Sequence, residues 1–430
     1  MAQTAVGYND CVAVDTAIGL EPQQLATELD TRMVDPTIVL LMTVAVAASF
    51  FAAWTIGAGS SGSTPFAPAV GANAITTLQA AFIVGLLGFA GAVLQGAAVT
   101  ETVGEGLIEG VTLSPLASAI ALAIAATYIA AGVFKGYPIA TAFAITGSVV
   151  GVGLAMGGEP AWGTYGEIGL YWLVTPIAVA PPAYVLTLVL RGKAVSERSV
   201  VTALAAVVGL VVANMEFLFL GPSGEQWSLA ATVATRLPAP AVVGVAGTTI
   251  AIAIAVAGVA WRSTGRDPVV AQRRFLLGLG ALVAFTAGAG KVGLAVGPLL
   301  PLVEGSLPIS AVIPVLVFGG LGILLGSWMA APRMIKALAQ DYSELGPRRS
   351  IAVLVPSFVF AQIGIFFGIP MSFNQIFIGA MAGVGYAVGG DTVSERKLAV
   401  TALAWIGSVI FGLVVGYGLY AAVSTLTGTV

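Results

Sequence analysis

The stretch YPIATAFAITGSVVGVGLAMG, residues 137–157, returns as IPMSFNQIFIGAMAGVGYAVG, residues 369–389, at an offset of 232. Seven positions match, from Pro138 with Pro370 through Gly147 with Gly379 to Gly157 with Gly389. Upstream of it, the string GAG at Gly57–Gly59 recurs at Gly288–Gly290, an offset of 231. Short matches arise by chance in a glycine-rich chain, but two at nearly one offset indicate an internal duplication. Between the paired stretches the charge inverts: VTETVGEGLIEG, residues 99–110, is acidic, whereas PRMIKALAQDYSELGPRR, residues 332–349, is basic. Equivalent segments therefore face opposite sides, as in inverted-topology repeats, where the substrate site lies near the midplane between interrupted helices of the two halves.

The composition puts both copies in a bilayer. Hydrophobic residues make up 58 % of the 430 and charged residues 9 %, with a mean hydropathy of +1.00; soluble domains carry about 25 % charged residues. Spanning helices need about 20 mostly apolar residues. Such stretches can be marked at residues 37–58, 77–98, 115–134, 136–157, 168–190, 200–220, 239–261, 275–302, 309–331, 351–368, 370–389 and 398–423. The expected fold is thus an all-α polytopic membrane protein with about 12 transmembrane segments, in two inverted-topology repeats with interrupted helices and hairpins.

Fourteen of the 17 Lys and Arg lie in alternate loops: at Lys135, from Arg191 to Arg198, from Arg262 to Arg274, from Arg333 to Arg349, and at Arg396 and Lys397. Thirteen of the 20 acids lie on the other side. Short cytoplasmic loops collect Lys and Arg, which predicts a plasma-membrane protein with both termini extracellular. Residues 1–36 form an acidic tail without a basic start or apolar core, so no cleavable signal peptide is expected.

The same counts exclude several classes. There is no histidine, and Cys11 is the only cysteine, which removes the commonest general base, the commonest metal ligand, disulfides and thiolate clusters. A net charge of −3 offers no surface for nucleic acid. Glycine strings near Gly151 and Gly383 lie inside apolar spans with no preceding strand, which marks helix packing rather than nucleotide binding. No metal site, no cofactor and no enzymatic activity are expected.

The segment TIGAGSSGSTPFAPAVGANAITT, residues 55–77, has no charge and too much Gly, Ser and Pro for a lipid-facing helix. Such backbone must be buried in protein or line a polar cavity. Its counterpart FTAGAGKVGLAVGPLLP, residues 285–301, adds Lys291. A lysine within a span costs about 3 kcal/mol unless it is paired, and marks a candidate functional site. Gly288 and Gly290 just before it predict an unwound backbone. Free N–H groups at helix breaks, together with hydroxyls, bind oxyanions. Ser60, Ser61, Ser63 and Thr64 on one side, with Gly290 and Lys291 on the other, would form such a substrate site. The proline-led segments add Thr141, Ser372, Asn374 and Gln375, because a proline opening a helix leaves the following N–H groups aimed outward. Taken singly, each of these residues is as well explained by a helix-to-helix hydrogen bond; recurrence in both copies lifts the set. Glu216, in VVANMEFLFL, is the carboxylate placed within a span. It is either a proton carrier or an interfacial carboxylate with a local partner, the second being favoured.

With these residues in view, the chain resembles the inorganic phosphate transporter family, the Pit-type and sodium-phosphate symporters. The family's GANDVAN pattern is similar to GAGSSGS from Gly57 and GAGKVGL from Gly288. Its LGAVLLG and VTETI are similar to FAGAVLQG, residues 89–96, and VTETV, residues 99–103; its PVSTTH resembles PIATAF from Pro138 and PMSFNQ from Pro370. There are departures. The family's Asn-Asp pair becomes Gly59 and Ser60 in one copy and Gly290 and Lys291 in the other, so both acids that the resemblance would make sodium- and substrate-site residues are replaced. Its motif histidines become Phe143 and Gln375. A fixed ammonium at Lys291 would supply the positive charge that a bound cation otherwise brings.

The resemblance implies a secondary transporter of inorganic phosphate working by alternating access, ion-coupled but without the usual acids, with sodium or a proton as the coupling ion. The alternatives are transport of another tetrahedral oxyanion such as sulfate, or a non-transporting membrane sensor or partner subunit. The expected organisation is the tail 1–36, a first repeat 37–158, central linking helices 159–274 that could serve a homodimer contact, and a second repeat with a terminal helix, 275–430. Phosphate or a similar oxyanion and the lipid bilayer are the expected partners.

Overall fold

The computed structural model of the chain describes residues 36–136, 139–192, 194–222, 225–304, 312–341, 346–389 and 394–427. Residues 1–35 of the acidic tail, and Tyr137 and Pro138, lie outside them. Helix α1 (Pro36–Ile56) runs into a π-helical turn, Gly57–Ser61, followed by α2 (Ala67–Gly71), α3 (Thr77–Gln95) and α4 (Ala97–Glu105). Next come α5 (Pro115–Lys135), α6 (Thr141–Ala155) and α7 (Trp162–Arg191). The middle of the chain forms α8 (Glu197–Ala213), α9 (Leu229–Ala234) and α10 (Ala241–Arg266). Then α11 (Pro268–Val296) passes through a 3-10 turn, Gly297–Leu299, into α12 (Leu300–Glu304). The chain ends with α13 (Val312–Met329), α14 (Ala331–Asp341), α15 (Pro347–Phe366), α16 (Phe373–Ala387) and α17 (Glu395–Thr427). Two antiparallel pairs of two-residue strands, β1 (Ile108–Glu109) with β2 (Glu159–Pro160) and β3 (Glu216–Phe217) with β4 (Trp227–Ser228), are the described sheet structure. The fold is all-α and polytopic.

Local sequence fixes the helix ends. Ser114 accepts a bond from Ala117 N at 3.2 Å ahead of Pro115, and Gly136 closes α5 in the left-handed region at φ +75°. Asp267 caps the first turn of α11 ahead of Pro268, and Thr76 with Gln79 forms a capping box on α3.

Nine of the described helices are long and apolar enough to cross a membrane. The stretches expected to span at 136–157, 200–220 and 370–389 are instead α6, α8 and α16, of 15, 17 and 15 residues. Fifteen residues rise about 22 Å against a hydrocarbon core of about 30 Å. In α6 and α16 the proline-led segment does not join the helix: Ala140 and Ser372 are extended, and the helices start after them. Both are buried along nearly their whole length, so protein rather than lipid surrounds them. The acidic and basic connections also carry short helices, α4 and α14.

The duplication is visible in the helix starts. Pro36 and Pro268, Pro115 and Pro347, and Thr141 and Phe373 open corresponding helices 232 residues apart. Trp162 and Glu395 open α7 and α17 at 233, so the paired elements run past residue 158. The halves interlock reciprocally. Short helix α6 packs on α17 of the other half, where Gly147 and Gly151 lie against the backbone of Val409 and Leu413. In the mirror arrangement α16 packs on α7, with Gly379 and Gly383 against Pro176 and Ala180. The glycine strings are helix crossings, as expected for small residues in a membrane bundle.

Candidate functional site

Each half delivers polar side chains to the centre in its own way. In the first half the π-helical turn widens the end of α1, a distortion often found at functional sites. The chain then turns at residues 62–66, which keeps Ser60, Ser61, Ser63 and Thr64 buried outside regular α-helix. In the second half α11 stays helical through Gly288 to Lys291, which corrects the unwinding predicted there. The glycines serve close approach instead: a side chain at Gly288 would strike the carbonyl of Gly88 on α3, and one at Gly57 the carbonyl of Ile323 on α13. The GAG repeat thus marks two equivalent helix crossings, and only the first is also a break.

Lys291 is 0 % exposed. Its ammonium donates to Ser60 Oγ and, at 2.8 Å, to Thr141 Oγ1; the two hydroxyls are 3.3 Å apart. This triangle joins α11, the π-helical turn and the first residue of α6, over sequence separations of 231 and 150 residues. The Phe373 ring, opening α16, has its centroid 5.8 Å from Lys291 Nζ, within cation–π range. Among the described residues the one ion pair is Arg348–Glu197, so Lys291 has no carboxylate. Hydroxyls alone compensate a buried ammonium poorly, and the site favours an anion.

Around the triangle, the Thr64 hydroxyl is 2.9 Å from Ser60 O and 2.8 Å from Asn374 Oδ1. Its single proton can serve one of them at a time. Asn374 Nδ2 donates to Ile139 O at 2.8 Å, which ties α16 to the segment leading into α6. Neither α6 nor α16 has a side-chain cap, and Ser372 Oγ is buried with no partner among the described residues. Gly290 faces Ile365 and Met371, leaving room for the segment before α16. The centre therefore gathers an ammonium, hydroxyls and two uncapped helix N-termini, a donor set suited to oxyanions.

Not every expected residue points inward. Ser61 donates to Ala287 O at 3.2 Å and Ser63 to Gly59 O. Gln375 donates to Trp172 O while Trp172 Nε1 donates to Pro370 O at 2.7 Å, a clasp between α7 and α16. Phe143 stacks on Trp172 with centroids 3.8 Å apart, giving an apolar wall. Glu216 is not in a helical span: α8 ends at Ala213 and Glu216 stands in β3. It lines a separate cavity of about 400 Å³ with Asn214, Gln95 and Gln362, where burial raises its carboxyl above the ordinary value.

Two groups escaped the sequence reading. Phe373 sits beside Lys291 but looks like any apolar residue of its span. Gln95 donates to Gln362 at 3.1 Å and Gln362 to Thr286 at 2.8 Å, a buried chain reaching α11 one turn and a half before Lys291. A lone glutamine in an apolar stretch carries no periodic signal; these pairings exist only across the fold.

Residues 56–416 match the sequence profile described as the phosphate transporter family. The chain is 26 % identical to a chloroplastic inorganic phosphate transporter of Arabidopsis thaliana over 416 residues, covering 84 % of this chain and 69 % of that one. It is 26 % identical to a protein of Chlamydia trachomatis named as a phosphate permease, covering 87 % and 96 %. A similarly named protein of Pyrococcus furiosus is 27 % identical, with 92 % and 98 % covered. Among solved structures, a sodium-dependent phosphate transporter superposes with a TM-score of 0.72 at 24 % identity, over 90 % of this chain and 99 % of that one.

Proposed function

The chain belongs to the phosphate transporter family, and on that premise we propose that it carries inorganic phosphate across the plasma membrane as a secondary transporter, by alternating access of its two halves. The observation that supports this is Lys291: a fully buried ammonium held by Ser60 of the π-helical turn and Thr141 of α6. An oxyanion there would accept hydrogen bonds from Lys291, Ser60 and Thr141, from the N–H groups opening α6 and α16, and from Ser372. Such charge-assisted bonds are about twice as strong as neutral ones. Full burial of the triangle fits a state closed to both sides, as alternating access requires.

The positions that resemblance would assign to sodium-site acids hold Ser60 and Lys291, and an ammonium repels a second cation at contact distance. In this reading the lysine takes the cation's place, and a proton gradient is the driving force that fits best. No cofactor and no chemical turnover are invoked. Helices α8 and α10, whose exposed face includes Val242, Ile250 and Ile254, would meet lipid or a second copy.

The test is uptake of labelled phosphate into proteoliposomes under separate sodium and proton gradients. Wild type accumulates phosphate against its gradient, and Lys291→Ala loses this; unchanged uptake and affinity in Lys291→Ala would overturn the role of the lysine. Binding without accumulation would point to a sensor or partner subunit. One observation favours a second reading, sulfate transport. The triangle is rich in donors, and its neighbouring side-chain acceptor, Asn374 Oδ1, already faces Thr64. A protonated phosphate offers a donor that such a site barely uses, so sulfate should compete.

A further inference from the structure

On the face that carries the arginine-rich connections, four helices converge on a cavity of about 560 Å³, lined by Arg191, Arg348, Arg349, Gln272 and the Gly346–Pro347 start of α15. The positive-inside bias puts arginines on one side of a membrane, but it does not gather three of them from two different helices around one hollow. Each is placed separately. Arg191, in the last turn of α7, donates through Nη1 to Ala387 O of α16 at 3.1 Å, a neutral partner that leaves its charge unbalanced. Arg348 pairs with Glu197 at 2.7 Å, and the other oxygen of that carboxylate is buried without a partner, so Glu197 serves Arg348 alone. Arg349, half-buried beside it on α15, has no acceptor among the described residues. Among the described residues, three guanidinium groups thus share one carboxylate, and Arg348 alone is paired with it. The cavity also takes in the N-terminus of a 20-residue helix whose first turn has Pro347 at its start and no side-chain cap, so helix dipole and free N–H groups add to the field. None of these residues belongs to the Lys291 triangle.

We propose that this hollow is a second anion site, taking a phosphate group: either inorganic phosphate or the headgroup of an anionic phospholipid. Planar guanidinium groups bind phosphate oxygens in pairs. An occupant here bridges α7, α11, α15 and α16, the first from one half of the duplication and the others from its partner. It would therefore stabilise one arrangement of the halves, which makes it a regulatory site distinct from the transported anion.

The experiment uses the purified full-length protein as wild type, Arg191→Gln/Arg349→Gln and Arg262→Gln, the last an arginine of α10 outside the cavity. Each is also made with Lys291→Ala, so that the central site cannot answer. In one arm, thermal unfolding is followed while sodium phosphate is titrated against sodium chloride at equal ionic strength. In the other, native mass spectrometry measures retention of phosphatidylglycerol against phosphatidylcholine. A response confined to phosphate identifies the free anion, and selective retention of phosphatidylglycerol identifies the lipid. In either case Arg191→Gln/Arg349→Gln binds about a hundredfold more weakly, about tenfold for each charge-assisted hydrogen bond that the phosphate forfeits, while Arg262→Gln binds as wild type does. No selective binding in either arm, or an equal weakening in Arg262→Gln, overturns the proposal.

Discussion

At position 291 the neighbours leave little freedom. Ser60 and Thr141 accept from the ammonium and nothing described neutralises it. Ser60→Asp would place a carboxylate against Lys291, and the resulting ion pair would cancel the charge meant for the anion. We expect uptake in proteoliposomes to vanish while the protein remains folded. Ser60→Ala removes one hydroxyl only and should raise the apparent KM by about tenfold, the worth of one hydrogen bond to a charged group. Composition alone made Lys291 legible, because it is the one basic residue inside an apolar span. Ser60 and Thr141 were legible as candidates for the same site, from the repeated polar motifs. That these two hydroxyls take the ammonium's hydrogen bonds, while Ser61 and Ser63 bond to backbone, was not, since nothing local links residue 291 to residues 60 or 141. Glu216 behaves differently. Its carboxyl is raised by burial, so the folded state favours the protonated form and that stability is lost as pH rises through the folded value. Glu216→Gln should therefore raise the Tm at pH 7, with the gain fading below about pH 4, where the wild-type carboxyl is protonated in both states. A pH series of thermal unfolding curves checks this.

For the helices, the decisive residues are those without side chains. At Gly151 an added Cβ would meet the Leu413 backbone on α17, and at Gly383 the Ala180 backbone on α7. Backbone cannot yield as a flexible side chain can, so Gly151→Val or Gly383→Val should cost more than about 3 kcal/mol and reduce monodisperse protein in size-exclusion chromatography. Gly247 on α10 has nothing near it, and Gly247→Ala should fold equally well or gain up to about 1 kcal/mol from helix propensity. This contrast shows where sequence reading succeeds and where it misleads. The proline-led motifs pointed to the two short buried helices but placed their starts too early. Helix α16 opens at Phe373, three residues after Pro370, and α6 opens at Thr141 behind the extended Ala140, because proline disfavours helix in the residue before it and ends what precedes it. Gly288 and Gly290 looked like the start of an unwound segment, yet a glycine inside a helix also permits backbone contact. Only the neighbour decides between the two, and for Gly288 the neighbour is Gly88.

Across the whole molecule the charges set direction. The basic connections between α7 and α8, α10 and α11, and α14 and α15 lie on one side of the expected topology, with the acidic connections and the tail on the other. For short loops this bias orients a polytopic protein, and it predicts opposite surroundings for two cysteines, one native and one introduced. Cys11, in the tail outside the described residues, is the chain's sole cysteine, so a membrane-impermeant maleimide added to intact cells should label wild type. Ser199, exposed at the start of α8 beside Arg198, belongs to the basic side. In a Cys11→Ser/Ser199→Cys variant, labelling should wait until the membrane is permeabilised. The reverse pattern would invert the topology and place the arginine-lined cavity at the outer surface. Equal labelling of both before permeabilisation would mean that α1 to α7 do not cross an odd number of times. The inverted duplication requires an odd number of crossings from α1 through α10, because only then do α1 and α11, which open with Pro36 and Pro268 at equivalent positions, enter the bilayer from opposite sides. Basic connections on both flanks of α8 to α10 put the two ends of that segment on one side, which leaves the odd number to α1 to α7.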